Sequence, residues 1–312
     1  MFQNRLNALA LARAINDRTF RLKHAINDRT FRLKHINGMK IADAAKRRRI
    51  KGRIDLLNEL IPTVDENVGQ ADGSRESHGG TIAGWLALGL LMEVGEIKSK
   101  NFHYIFDYGS GGRLNVLLTC WALELDVICV GIENNSRRHE NGKGLLRLVK
   151  RHAIERNAKS TTQVALYEGD FLEDHRLVVT EGRRGRTALV YLNNYDNCML
   201  SIKGDLEEAL SRNLTMGSVV VCFSRLFRPY DGRWTEERFE ATITADGLSW
   251  SSRRGGEDKI KILPVYKYTR TERPAQEESG PVNGRRNGRT CYTDVVKKID
   301  LTGHRHYFND LS

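Results

Sequence analysis

Through the middle of the chain, compact apolar runs alternate with longer stretches whose apolar residues recur at helical spacing. The runs at 104–108, 127–132, 163–167, 188–192 and 218–223 are five or six residues long and dominated by Val, Ile, Leu and aromatic residues. They lack the in-out alternation of a half-exposed strand, as expected of strands buried on both faces. Between them, 114–125, 138–156 and 203–214 read as helices. Five strand–helix alternations predict an α/β fold, a doubly wound and mostly parallel sheet. An apolar helix at 82–98 precedes the first strand, after a polar loop at 62–80. Further strands are expected at 239–244 and 260–269, then a polar linker near 271–289, then a return to the sheet within 291–308. The longest apolar run, 82–94, is too short to span a bilayer, so no membrane partner is expected.

Polar residues punctuate this pattern at the strand ends. Asp107, Glu133, Asp170 and Asn193 each close an apolar run. In a doubly wound sheet those ends face the ligand crevice. Taken singly each reads as a turn or cap residue; four at successive strand ends are a stronger signal. The first is followed by Gly109-Ser110-Gly111-Gly112-Arg113, a glycine-rich turn that opens a helix and lets backbone approach a ligand.

Charge changes the picture at one end of the chain. The net charge is +11, yet residues 1–53 carry 15 Lys/Arg against 3 Asp, and the remainder is close to neutral. This basic arm contains a perfect tandem duplication, 14–24 and 25–35, whose eleven-residue period keeps helical phase and predicts a basic amphipathic helix. It ends in a cluster, Lys46, Arg47, Arg48, Arg49, Lys51 and Arg53, suited to DNA phosphates or to nuclear targeting. Taken alone, the cluster reads equally well as a solvated charged face. The five cysteines show no CxxC or Cys/His metal spacing, so no metal is expected and the thiols are read as reduced.

The cofactor follows from what the glycine turn lacks. Leu114 stands where a dinucleotide fingerprint needs its third glycine, and no phosphate loop of the G-x-x-x-x-G-K-S/T type occurs. S-adenosylmethionine (SAM), which carries no phosphate, fits better. Its ribose hydroxyls suit Glu133, its adenine amine suits Asp170 beside the apolar Phe171, and its ammonium suits Asp107.

The order of motifs resembles the non-SET histone lysine methyltransferases of the disruptor-of-telomeric-silencing type, over about residues 76–270. The family's pre-sheet Y-G-E-T is similar to His78-Gly79-Gly80-Thr81, and its D-L-G-S-G-V-G to the stretch from Asp107 to Arg113. Its G-V-E resembles Gly131-Ile132-Glu133, and its G-D-F-L is matched in full by Gly169-Asp170-Phe171-Leu172. Its V-N-N-F is similar to Leu192-Asn193-Asn194-Tyr195, and its late Y-x-H-T to Tyr266-Lys267-Tyr268-Thr269. The resemblance implies a class I, Rossmann-like methyltransferase domain over 101–312 behind a helical or loop lead-in at 54–100; the charge count sets the basic arm, helical or partly disordered, at 1–53. It implies SAM held by Thr81, Asp107, Gly109, Ser110, Gly111, Glu133, Asp170, Phe171 and Asn193. Catalysis would fall to Asn193, Tyr195 and Tyr266, on a core histone of the nucleosome, in the nucleus. Gly80 and Arg113 depart from the pattern and imply weaker contacts with the cofactor. Other acceptors, a different protein or a nucleic acid, are the competing enzyme reading; a chromatin-binding protein with a weakened site is the non-enzymatic one.

Overall fold

The computed structural model describes residues 44–64, 82–97, 102–173, 186–193, 203–226, 233–244, 260–271 and 296–302. The duplication at 14–35, Thr81 and Tyr195 lie outside the described residues. Contacts divide the chain into two units, Met1–Arg48 and Arg49–Ser312, and the first is described only in the opening turn of a helix.

In the second unit, five strands form one parallel set: β1 (Tyr104–Tyr108), β2 (Ile128–Glu133), β3 (Gln163–Glu168), β4 (Ala188–Leu192) and β5 (Val219–Cys222). Three more extend the sheet: β6 (Trp234–Thr244), β7 (Ile260–Arg270) and β8 (Val296–Asp300), giving the order β3-β2-β1-β4-β5-β7-β6-β8. Only β7 is reversed, antiparallel to both β5 and β6, while β8 pairs parallel with β6. This is the mostly parallel, doubly wound sheet the apolar runs predict. β6 begins five residues earlier than expected, because Glu236, Glu237 and Arg238 interrupt its apolar pattern. The return predicted within 291–308 is the short edge strand β8.

The strand interiors are buried on both sides, which explains their unbroken apolar character. One face carries Phe106, Tyr108, Val130, Ile132, Val190, Leu192, Val220 and Cys222, and Leu206 and Leu210 of a helix at Lys203–Asn213 pack onto it. The other face carries Ile105, Asp107, Cys129, Gly131, Leu189 and Tyr191. Leu117, on a helix at Asn115–Ala122, packs against Gly131 from that side. A Cβ at Gly131 would lie 2.7 Å from Leu117 Cδ1, 2.8 Å from Ser110 Oγ and 2.9 Å from Leu166 Cδ2. Gly131→Ala is therefore expected to cost about 1–3 kcal/mol in urea denaturation. An unchanged midpoint would mean that the helix–sheet gap yields freely.

In chain order the helices are α1 (Ala44–Leu60), α2 (Gly84–Gly89), α3 (Asn115–Ala122), α4 (Ser136–Glu155) and α5 (Lys203–Asn213). α1 runs across the expected 53/54 boundary, and residues 49–53 of the basic arm fall in the second unit. Its buried stripe is Ile50, Arg53, Ile54, Leu57 and Leu60, at helical spacing.

Arg53 corrects the expectation of a DNA contact. It is 0% exposed. Its Nε donates to Ala158 O (2.9 Å), Nη1 to Ala122 O (3.0 Å), and Nη2 to Lys159 O (2.7 Å) and Glu124 Oε1 (3.2 Å). The guanidinium also stands 5.9 Å from the Trp121 ring centroid. Three of the orphan carbonyls that end α3 and follow α4 are thereby satisfied by one side chain. Arg48 and Lys51 are exposed, Lys46 is half-buried, and Arg49 reaches Glu124 at 3.8 Å; the Arg47 side chain lies outside the described residues. Among the described residues no helix is long and apolar enough to cross a membrane.

Candidate active site

The crevice is built from the turns that leave β1, β2 and β3 at their C-terminal ends. After β1 the chain must reverse sharply into α3. Gly109 (φ 78°) and Gly111 (φ 64°) supply the left-handed conformations, and Leu114 (φ 52°) adopts one as well to start the helix. A Cβ at Gly109 or Gly111 would meet nothing within 4 Å, so these glycines serve the backbone path beside open space. The Gly109 and Ser110 N–H groups both donate to Ile132 O, at 2.9 and 3.1 Å, which folds the loop over the end of β2.

Glu133 closes that arrangement. Its Oε2 accepts from the Gly111 N–H at 2.9 Å and its Oε1 from the Asn135 N–H at 3.0 Å. Asn135 in turn caps α4, its side chain accepting the Arg138 N–H at 3.1 Å. The carboxylate predicted to receive ribose hydroxyls thus also ties the two crevice loops together. Each oxygen retains a further lone pair for a ligand hydroxyl.

Asp107, beside it, is 4% exposed. Burial, and secondarily the charge of Glu133, push its carboxyl up to about 8. Two neighbouring acids in one enclosed site form a receptor for a cation, since a bound positive charge relieves both causes at once.

Just past β3, the Gly169 N–H donates to Glu133 O at 3.0 Å. The following Asp170 is exposed and accepts the Leu172 N–H at Oδ1, 2.8 Å, leaving its second oxygen to face solvent or ligand. The Phe171 ring stacks on Tyr108, with centroids 4.9 Å apart and planes 8° from parallel. Tyr108 therefore fixes the apolar wall expected of Phe171 and occupies one of its two faces.

Asn193 directly follows Leu192, which pairs with Tyr108, so it stands at the mouth of the same crevice. The structure brings together Asp107, Gly109, Ser110, Gly111, Glu133, Asp170, Phe171 and Asn193. It sets Tyr266 apart. That residue lies opposite Cys222 on β7, three strands from β1 and roughly 14 Å away at the usual interstrand spacing. Its ring already carries the Arg238 guanidinium at 5.6 Å.

Arg113, which stands where the resembled motif has its last glycine, is held by backbone from the end of the lead-in helix region. Its Nε and Nη2 donate to Val64 O at 3.1 and 3.0 Å, clamping the glycine turn to the residue that closes the 3-10 turn Ile61–Thr63 after α1. Sequence reasoning also passed over Tyr108 and Tyr191, whose phenols were read only as apolar strand residues. His139, Glu140 and Glu168 bring ligand-type atoms within 4.8 Å of one another nearby, but Glu140 is engaged by Lys143 at 2.6 Å and both acids are exposed.

No protein-family model matches the chain, and no curated protein matches it. Solved structures do. A putative O-methyltransferase from Klebsiella pneumoniae is similar at 11% identity, covering 77% of this chain and 96% of that one, with a TM-score of 0.38. An RNA methyltransferase from Salinibacter ruber, in complex with S-adenosyl-L-homocysteine, is similar at 18% identity over 62% of this chain and 96% of that one, TM-score 0.36. An O-methyltransferase from Bacillus cereus, also in complex with S-adenosyl-L-homocysteine, is similar at 8% identity over 70% of this chain and 91% of that one, TM-score 0.40. Likenesses this remote transfer no residue, ligand or substrate to this chain.

Proposed function

We propose that the chain is a SAM-dependent lysine N-methyltransferase acting on a core histone in nucleosomes, in the nucleus. The observation that carries the reading is the convergence at one crevice of Asp107, the glycine turn, Glu133, Asp170-Phe171 and Asn193, each at the strand end where the histone lysine methyltransferase motifs put it. The donor set fits SAM. Paired buried acids suit its ammonium and sulfonium, the open space beside Gly109 and Gly111 admits its bulk, and nothing in the sequence offers a phosphate loop.

When bound, SAM supplies an electrophilic methyl group. The chain's own residues bind and orient. Asp107 takes the ammonium, Glu133 the ribose hydroxyls, and Asp170 the adenine amine against Phe171. Asn193 orients the incoming amine through its side-chain carbonyl. A lysine amine, with an ordinary pKa of about 10.4, must enter neutral, and an apolar channel favours that form by desolvation. Tyr195 and, further along the cleft, Tyr266 are the residues assigned to that channel. Lys46, Arg47, Arg48, Arg49 and Lys51 are assigned to the DNA backbone, where phosphate contacts position without reading sequence. Arg53 has left this set.

The test is mass spectrometry of nucleosomes, free histones and RNA incubated with the full chain and SAM. Methylated lysine on nucleosomal histone is expected, reduced roughly 100-fold or more by Asn193→Ala. Methyl transfer to RNA alone, or none to nucleosomes by a chain that binds SAM, would remove the histone assignment.

A further inference from the structure

Tyr191 stands on β4 directly opposite Asp107, so the two side chains leave adjacent strands on the same side of the sheet. It is 3% exposed, and its ring meets Phe223 edge-on, with centroids 6.0 Å apart. Its hydroxyl is buried and has no hydrogen-bond partner, a state shared by only one other side-chain atom among the described residues, the Tyr108 hydroxyl on the opposite face. Burial, and secondarily the Asp107 carboxylate when it is ionised, push the phenol well above its ordinary range. Asn193 follows two residues later, just past the end of β4.

A phenylalanine would fill this place against Phe223 without enclosing a polar atom. An enclosed, unpaired hydroxyl is destabilising, and one found beside a ligand crevice calls for a partner there. The partner must be an acceptor, because the neighbouring Asp107 already provides the site for cationic donors. A ligand with an amino-acid end offers such an acceptor next to its ammonium.

Resting on the SAM reading above, we propose that Tyr191 is a cofactor-binding residue whose hydroxyl donates to the α-carboxylate of the methionine end, beside the ammonium held by Asp107. The two side chains then form a zwitterion receptor: an acid from β1 for the positive group and a phenol from β4 for the negative one. Hydrogen bonds to charged groups are the stronger kind, so this contact also favours ligands that retain the amino-acid end over truncated nucleosides.

The experiment is calorimetric titration of the wild-type chain and Tyr191→Phe with S-adenosylhomocysteine and with 5′-methylthioadenosine, which lacks the amino-acid end. The variant is expected to bind S-adenosylhomocysteine about tenfold or more weakly, and methylthioadenosine within about twofold of wild type. The Tm of the free variant is expected to equal or exceed that of wild type, since an unpaired buried hydroxyl has been removed. Equal affinity of both proteins for S-adenosylhomocysteine, a parallel loss for both nucleosides, or a lowered Tm would each overturn the assignment to Tyr191 while leaving SAM binding in place. A wild-type chain that binds neither nucleoside would overturn the SAM reading and this inference with it.

Discussion

Arg53→Ala is expected to lose about 3–5 kcal/mol in urea or thermal denaturation, the range for stripping one partner from a buried, hydrogen-bonded charge. Against a total stability of roughly 5–15 kcal/mol for a domain, that is enough to release α1 and much of the crevice scaffold. The cause is local. Arg53 is 0% exposed, while Glu124 keeps a 12% exposed side chain, so the pair sits where water screens little. Removing the guanidinium leaves the carbonyls of Ala122, Ala158 and Lys159 without their donor, leaves Glu124 only the more distant Arg49, and opens a void beside Trp121. Arg53→Lys is expected to recover little, because one ammonium cannot reproduce a planar fork that serves three carbonyls and an acid. Arg48→Ala, at an exposed position of the same helix, should stay within about 0.5 kcal/mol of wild type. Equal effects at the two positions would mean that Arg53 is only one more charge of a solvated basic face.

That contrast marks where the sequence was legible. The strands of the parallel set could be read because burial on both faces leaves an apolar run with no competing pattern. The glycine turn could be read because left-handed backbone at Gly109 and Gly111 selects glycine locally. Arg53 was hidden in a charged run, although its spacing held the signal: it falls three residues after Ile50 and four before Leu57, on the stripe that faces the core. The first half of β6 was hidden for a related reason. Glu236 and Glu237 look like loop residues until Tyr268, Lys267 and Lys297 from other strands, and Arg225 from the loop after β5, are brought to them. The site divides the same way. Asp107, Glu133, Asp170 and Asn193 announce themselves as polar residues ending apolar runs. Glu133 as a clamp between two loops, Arg113 as a tie to Val64 and Tyr191 as a neighbour of Asp107 all depend on pairing between segments far apart in the chain.

Asp107→Asn is expected to weaken S-adenosylhomocysteine binding by roughly 100-fold or more while stabilising the free protein at pH 8, two effects of opposite sign from one cause. In the unfolded chain this carboxyl titrates near 3.8; in the folded chain burial and Glu133 raise it to about 8. Between those values the folded state holds a proton that the unfolded state has lost. Stability of the free protein therefore falls as pH rises through that window, by an amount on the order of several kcal/mol, and levels off above it. Asparagine keeps the shape, carries no charge to be desolvated, and removes that slope. It also removes the counter-charge on which a cationic ligand depends. Other groups face Asp107 as well: Glu133, the Tyr191 phenol and the Cys120 thiol. The latter two are pushed upward and stay neutral through the window, so Asp107 dominates it. A cation bound at the charged carboxylate must displace the proton whenever the pH is below about 8. Affinity of the wild-type protein is then expected to rise by up to about tenfold per pH unit from pH 6 towards 8 and to flatten above. Calorimetry at pH 6.5 in two buffers of different ionisation enthalpy would count close to one proton released per ligand, and none for the asparagine variant. A wild-type affinity that does not change between pH 6 and 8 would mean that Asp107 is already ionised in the free protein. The crevice would then be a preformed anionic site, with no proton to displace when the cofactor enters.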